Sequence, residues 1–141
     1  MQNPEGYMSF ETAFVIVVKH NHPGGAYSYR FRDTEGKVIV YCTDIEHGER
    51  IDPNVVELAR DADLLIHEAQ YTPEELPRYK GWGHGSWNQA VEVAERAKVT
   101  RLVITHHDPD HDDSFLEDVE RECQSHFPNC VFAREKMEIV V

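Results

Sequence analysis

Four short apolar segments of this chain each end directly in histidine or aspartate, and this placement constrains the fold more than any other feature. The segments and the polar residues after them are 14–19 with His20-Asn21-His22, 38–42 with Thr43-Asp44, 64–66 with His67-Glu68, and 102–105 with His106-His107-Asp108. In α/β sheets the carboxyl ends of neighbouring strands border a common crevice where ligands bind. The pattern therefore predicts an α/β layered domain whose polar strand ends converge on one site.

Turn and capping residues between these segments predict further elements. A hairpin across His22-Pro23-Gly24-Gly25 joins the first strand to a second at 27–31, and extended segments at 131–133 and 139–141 are expected to close the chain. Helices are expected over 52–60, after Thr72 up to Pro77, after a capping box at Ser86, and over 115–127. Residues 1–12 show no clear element. We therefore expect an irregular amino-terminal segment followed by one domain over 13–141.

The charge balance restricts the partners that the chain is expected to have. There are 14 basic and 26 acidic residues among 141, a formal net charge of −12. Such a charge repels phosphate backbones and anionic lipid at long range. The composition thus argues against nucleic acid and membrane and favours a small-molecule substrate. Arg30 and Arg32 are a local basic spot that is expected to hold at most one small anion.

The cysteines indicate a reducing compartment, and the apolar segments argue against a membrane span. The three cysteines form no CxxC pair and have apolar sequence neighbours, so buried free thiols in a cytoplasmic protein are expected. The longest strongly apolar segment, 14–18, is too short to cross a bilayer.

Imidazole and carboxylate at the strand ends are ligands that suit zinc, and also manganese or iron.

Five motifs resemble, in order and spacing, those of the ribonuclease Z-like branch of the metallo-β-lactamase-fold hydrolases. They are Asn21-His22-Pro23-Gly24-Gly25, Tyr41-Cys42-Thr43-Asp44, Asp63 to Ala69 with its His67-Glu68-Ala69, Gly83-His84-Gly85-Ser86, and Leu102 to His106. The resemblance covers nearly all of residues 15–141. It implies half of an αββα sandwich, in which one mixed sheet is covered by helices on one face.

The resemblance also implies roles for individual residues. His22, Asp44 and His106 would be ligands of a divalent metal, most simply zinc, with Asp44 bridging two ions in a complete site. Asp44 would also hold the attacking hydroxide, and His84 would be the general acid. Glu68 would orient a histidine from outside the metal shell. The reaction would be hydrolysis of a small phosphodiester or related ester.

The family's His-x-His-x-Asp-His motif is absent from the chain. We therefore expect the carboxyl-terminal half of the fold only, with weak or no activity by itself. A sheet face bearing Phe14, Ile16, Val18, Val40 and Leu65 would then lack its covering layer and drive formation of a homodimer.

Two other functions remain open at this point. The chain is alternatively a non-catalytic half-domain that serves as an interaction or weak metal-binding module. A remote alternative is a JAMM-type isopeptidase, since His20, His22 and Asp33 have the ligand spacing of that class, although Arg30 stands where its serine belongs.

Overall fold

A computed structural model describes residues 7–10 and 13–141. These residues form one seven-stranded mixed sheet whose spatial order follows the chain. The strands are β1 (Tyr7–Phe10), β2 (Ala13–His20), β3 (Ala26–Asp33), β4 (Val38–Cys42), β5 (Leu64–Glu68), β6 (Arg101–Thr105) and β7 (Cys130–Phe132). Strands β1 to β4 pair antiparallel, and β4 to β7 pair parallel. Between the parallel strands lie α1 (Pro53–Ala59), a 3₁₀ helix (Leu76–Tyr79), α2 (Trp87–Ala97) and α3 (Asp113–His126).

The three α-helices pack against one face of the sheet and enclose the core. Helix α2 begins at the predicted capping box of Ser86 and buries its apolar stripe. All three cysteines are buried free thiols, as predicted. The α/β architecture, one mixed sheet covered by helices on one face, is therefore confirmed. Among the described helices, none has the length and apolarity that crossing a bilayer requires.

The prediction of which sheet face is uncovered is wrong, because the helices cover the face that bears Val40 and Leu65. Val40 and Leu65 are fully buried beneath the helices, and Ile16 and Val18 pack against the same core. Side chains alternate between the two faces of a strand, so Tyr41, which is 41% exposed, lies on the helix-free face. The homodimer was predicted to form through this face, and the face is not available for it because the helices cover it.

The amino-terminal segment and the segment around Pro77 also differ from expectation. Tyr7–Phe10 forms β1, paired antiparallel with β2, although four residues are too few to show a clear period in the sequence. The rest of the predicted irregular segment, 1–6 and 11–12, lies outside the described residues. Pro77 lies at the start of the 3₁₀ helix and does not end it, because the first turn of a helix needs no N–H from proline.

Arg30 has a structural role that the sequence did not predict. Its Nη1 donates to the carbonyl oxygens of Leu58 (2.7 Å) and Arg60 (2.8 Å), at the end of α1. These carbonyls have no partner within the helix, and the negative end of the helix dipole favours a cation there. Arg30 therefore ties α1 to β3, and it is not an open anion site as the sequence suggested.

Replacing Arg30 by methionine should weaken this tie. Hydrogen bonds from a charged donor contribute about 1.5–3 kcal/mol, so Arg30→Met should lower the free energy of unfolding by about 1–3 kcal/mol. Arg32→Met is the matched control, because Arg32 follows two residues later on the same strand and is exposed. Denaturant unfolding measures both variants. An equal loss of stability in the two would contradict the capping role.

Candidate metal centre

The candidate site lies where the carboxyl ends of β4, β5 and β6 meet the β2–β3 turn. Asp44 follows β4, Glu68 is the last residue of β5, and His106 follows β6. Asp44 and His106 both have left-handed backbone, with φ of 57° and 59°. This conformation is uncommon for residues other than glycine and occurs often at functional sites. It turns the chain sharply at each strand end, beside the crevice.

Two overlapping groups of potential metal ligands lie in this crevice. In each group the ligand atoms lie within 4.8 Å of one another; the groups are His22, Asp44 and His84, and Glu68, His84 and His106. His84 belongs to both, with its ring centroid 5.7 Å from that of His22 and 4.9 Å from that of His106. The structure thus brings the expected ligands His22 and Asp44 together. It links His106 to them through His84, the expected acid.

The donor set fits a divalent metal. Two imidazoles and a carboxylate within this spacing are the ligand types that zinc uses in proteins, and manganese and iron accept them as well. His84 uses its Nδ1 toward Glu68, at 3.0 Å, which leaves Nε2 for an ion or a proton. The ligand roles of His22, Asp44 and His106 remain predictions.

Glu68 organises the site from below. Its carboxylate is fully buried and accepts three hydrogen bonds, from Ile45 N–H (2.8 Å), Gly85 N–H (3.1 Å) and His84 Nδ1 (3.0 Å). The hydrogen bond to Glu68 raises the pKa of His84 above its usual value, against the opposing effect of partial burial. The histidine that Glu68 holds in the structure is therefore His84.

Glu46 is a second organising carboxylate, which the sequence did not single out. It accepts the N–H groups of Gly81 (2.7 Å) and Gly83 (2.9 Å), and its backbone bonds with Asn21 in both directions. Glu46 therefore joins the loops that carry His22, Asp44 and His84. In the sequence it is one of many acidic residues in a loop, and only the spacing of two glycines around Trp82 hinted at a special turn.

Gly83 allows the close approach of two of these loops. A Cβ atom at this position would lie 2.4 Å from His22 Cδ2 and 2.7 Å from its Nε2, and φ is +96°. Gly81 has a similar φ of +88° but open space around it. Both glycines therefore have a left-handed backbone conformation. Of the two, only Gly83 also lies where a side chain would clash with a neighbour.

Gly83→Ala should displace the His22 ring and weaken metal binding. With zinc as the probe in isothermal titration calorimetry, we expect an affinity about 10-fold or more below that of Gly81→Ala, the size of effect seen when the support of a ligand is disturbed. Gly81→Ala carries the same left-handed strain and is the matched control. Equal zinc affinities in the two variants would show that the His22 position does not matter to the ion.

His20 belongs to the structural frame, which excludes the isopeptidase alternative. Its ring bonds with Ser28 Oγ (2.8 Å) and the Asp44 carbonyl (3.0 Å), and it is buried. It pairs with Ala26 at one end of the hairpin, whereas Asp33 pairs with Ala13 at the other end. His20 and Asp33 therefore cannot ligate one ion, and the JAMM reading is wrong.

A buried pair of neutral histidines lies next to the site. His47 Nε2 and His67 Nε2 are 3.2 Å apart, and Asp52 N–H donates to His47 Nδ1. Because His47 Nδ1 is an acceptor, Nε2 carries its proton and donates to His67, whose Nδ1 donates to the Glu68 carbonyl. Burial lowers the pKa of His47 to about 3 and also lowers that of His67. Adding a proton to the pair would break this network.

Stability should therefore fall as the pH drops below the pKa of a free histidine. The unfolded chain binds protons below about pH 6.5 while folded His47 does not, so the free energy of unfolding should lose about 2 kcal/mol per such histidine by about pH 5. In His47→Gln, which keeps one donor and one acceptor, this part of the loss should vanish. His126→Gln, at an exposed histidine, is the control in denaturant unfolding at both pH values. An unchanged pH dependence in His47→Gln would contradict the assignment.

Solved structures with the same fold are found among metallo-β-lactamase proteins. The metallo-β-lactamase fold protein YhfI from Bacillus subtilis aligns with a TM-score of 0.77 and 21% identity, over 94% of this chain and 51% of that one. The short form of human tRNase Z aligns with a TM-score of 0.71 and 21% identity, over 94% of this chain and 46% of that one. At this identity the likeness establishes the fold alone.

Curated relatives are similar in sequence as well. Ribonuclease Z of Prochlorococcus marinus is 33% identical over 107 residues, which cover 74% of this chain and 33% of that protein. The chain thus spans about a third of the length of this relative.

The names of these relatives overturn one expectation from composition. The net charge argued against nucleic acid, yet the proteins that the chain resembles are a ribonuclease Z and a tRNase Z. The exclusion of nucleic acid is therefore wrong. A net charge sums over the whole molecule and does not describe the field at one site.

A family profile agrees with the motifs and the fold. The profile described as Beta-lactamase superfamily domain matches residues 7–107, which include all five motifs in full. The chain therefore belongs to the metallo-β-lactamase superfamily, and its curated relatives include ribonuclease Z.

Proposed function

We propose that this chain carries part of the active site of a divalent-metal-dependent hydrolase that cleaves phosphodiester bonds in RNA. The observation that carries the proposal is the juxtaposition of His84, paired with buried Glu68, with His22 and Asp44 in one crevice. The ribonuclease names of the relatives support RNA as the substrate class. Zinc is the first choice of ion for this donor set, with manganese and iron as alternatives.

His22 and Asp44 would hold the ion together with a third ligand, and His106 is the predicted one. An ion at this position would supply positive charge to the phosphate and lower the pKa of water beside it. The water would lose one proton to solvent before it attacks, and the Asp44 carboxylate would orient the resulting hydroxide toward the phosphorus atom.

His84 would supply the proton that the leaving oxygen needs when the phosphorus–oxygen bond breaks. Nδ1 donates to Glu68, so the transferable proton is on Nε2. The hydrogen bond to Glu68 raises the pKa of His84 and so favours the protonated ring that a general acid needs. After transfer, Nδ1–H stays bonded to Glu68, and the ring keeps its orientation for the next turnover.

His84→Ala separates the role of acid from that of ligand. Because the chain lacks the His-x-His-x-Asp-His motif, its own hydrolysis of an oligoribonucleotide is expected to be weak. In the zinc-loaded chain His84→Ala should lower that rate by about 10²–10⁴-fold, the usual contribution of a general acid, while zinc affinity changes by less than about threefold. His111→Ala is the matched control, because His111 also pairs with a carboxylate, Glu75, at 2.9 Å, outside both ligand groups. It should leave turnover nearly unchanged.

The other outcomes contradict specific parts of the proposal. Loss of bound zinc in His84→Ala with normal turnover per remaining ion would make His84 a ligand and not an acid. Zinc binding by the unmodified chain without hydrolysis under zinc, manganese or iron would contradict catalysis by this chain and leave a metal-binding module. Absence of zinc binding would reject the ligand assignment of His22 and Asp44.

A further inference from the structure

Trp82 is an exposed indole beside the candidate site. Its side chain is 65% exposed, whereas the other tryptophan, Trp87, is 5% exposed and lies in the core. Trp82 stands two residues before His84, and Gly83 between them lies so near His22 that a Cβ atom there would clash with its ring. A large aromatic ring left in water next to a site provides surface for a ligand that covers it.

The backbone around Trp82 is held in place. The Glu46 carboxylate accepts the N–H groups on both sides of Trp82, those of Gly81 and Gly83. Glu46 thereby fixes this segment relative to Asp44, two residues before it in the chain. A ligand that stacks on Trp82 would therefore find its position largely set before binding, which lowers the entropy lost on binding.

An aromatic ladder supports one edge of the Trp82 ring. Tyr79 meets Trp82 edge-on with ring centroids 5.4 Å apart, and Tyr79 stacks on buried Tyr71 at 4.3 Å with an interplanar angle of 4°. The Tyr71 ring centroid is 6.4 Å from that of His84. Tyr79 thus contacts the indole, which as a whole stays 65% exposed to solvent.

The same segment carries positive charge on an acidic protein. Arg78 and Lys80 flank Tyr79 and are exposed, and neither forms a salt bridge with any described residue. The sequence Arg78-Tyr79-Lys80-Gly81-Trp82 thus interleaves two cations with two aromatic rings. Proteins that bind single-stranded nucleic acids combine these two features, cations for the phosphates and aromatic faces for the bases.

We propose that Trp82 is a stacking platform for a nucleobase of a single-stranded substrate, next to the phosphate that the metal centre would receive. Arg78 and Lys80 contact the adjoining phosphates. The proposal rests on the proposed function in that it takes RNA as the substrate class, and it adds which part of the chain recognises the base. Stacking on one ring face selects no particular base, so the platform positions the strand and does not read its sequence.

The test compares strands with and without bases. The full chain is titrated with a fluorescein-labelled pentauridylate and with the same ribose-phosphate strand lacking bases, in chelator so that no turnover occurs, and fluorescence anisotropy gives the dissociation constants. Trp82→Leu should weaken binding of the pentauridylate about 5- to 100-fold and leave the abasic strand unchanged. Trp82→Phe, which keeps a ring face, should stay within about threefold. Phe14→Leu is the control, at a ring that is 64% exposed at the far end of β2.

Each contrary result overturns the platform. These are an equal loss for both strands, no loss in Trp82→Leu, or no binding of the pentauridylate by the unmodified chain. Binding is measured without hydrolysis, so the two proposals fail separately. Trp82-dependent binding without hydrolysis by the metal-loaded chain would reject the proposed function and keep the platform. Hydrolysis that is insensitive to Trp82→Leu would keep the proposed function and reject the platform.

Discussion

The geometry of the candidate site depends on one buried carboxylate, that of Glu68. A charge without solvent is tolerated only when hydrogen-bond donors surround it, because an unpaired buried ion costs several kcal/mol. The donors here come from the residue after Asp44, from His84 and from the residue after His84. The ends of β4 and β5 and the loop before α2 must therefore meet at this point, and His84 is oriented by the same contact.

Glu46 extends this arrangement to the surface of the crevice. It joins the turn after β2 and the loop of Gly81, Trp82 and Gly83 to the strand end that carries Asp44. Acidic residues of this chain thus include internal acceptors of backbone N–H groups, besides the solvated charges that a count suggests. The segment from Arg78 to Trp82 presents cations and aromatic rings at the place where they bear on the site.

Local features were predictable from the sequence. Strand β4 has its predicted bounds of Val38–Cys42, and α2 begins after the capping box of Ser86. Both signals are contained in a few neighbouring residues, a period of two in a strand or a side chain that caps its own helix. Strand β1 was missed because its four residues carry too little pattern, and it is defined by pairing with β2.

The sequence by itself determined the order and type of the elements from β2 to β7 and the placement of His22, Asp44, Glu68 and His106 at or just after strand ends, since these follow from local periodicity. Tertiary structure decided which sheet face the helices cover, that Glu68 holds His84, that His84 joins both ligand groups, and that Glu46 clamps the loop of Trp82. The Glu68–His84 and Glu46–Gly81 hydrogen bonds join residues 16 and 35 positions apart. No periodicity in the chain encodes contacts at such separations, because they arise only when packing brings the strand ends together.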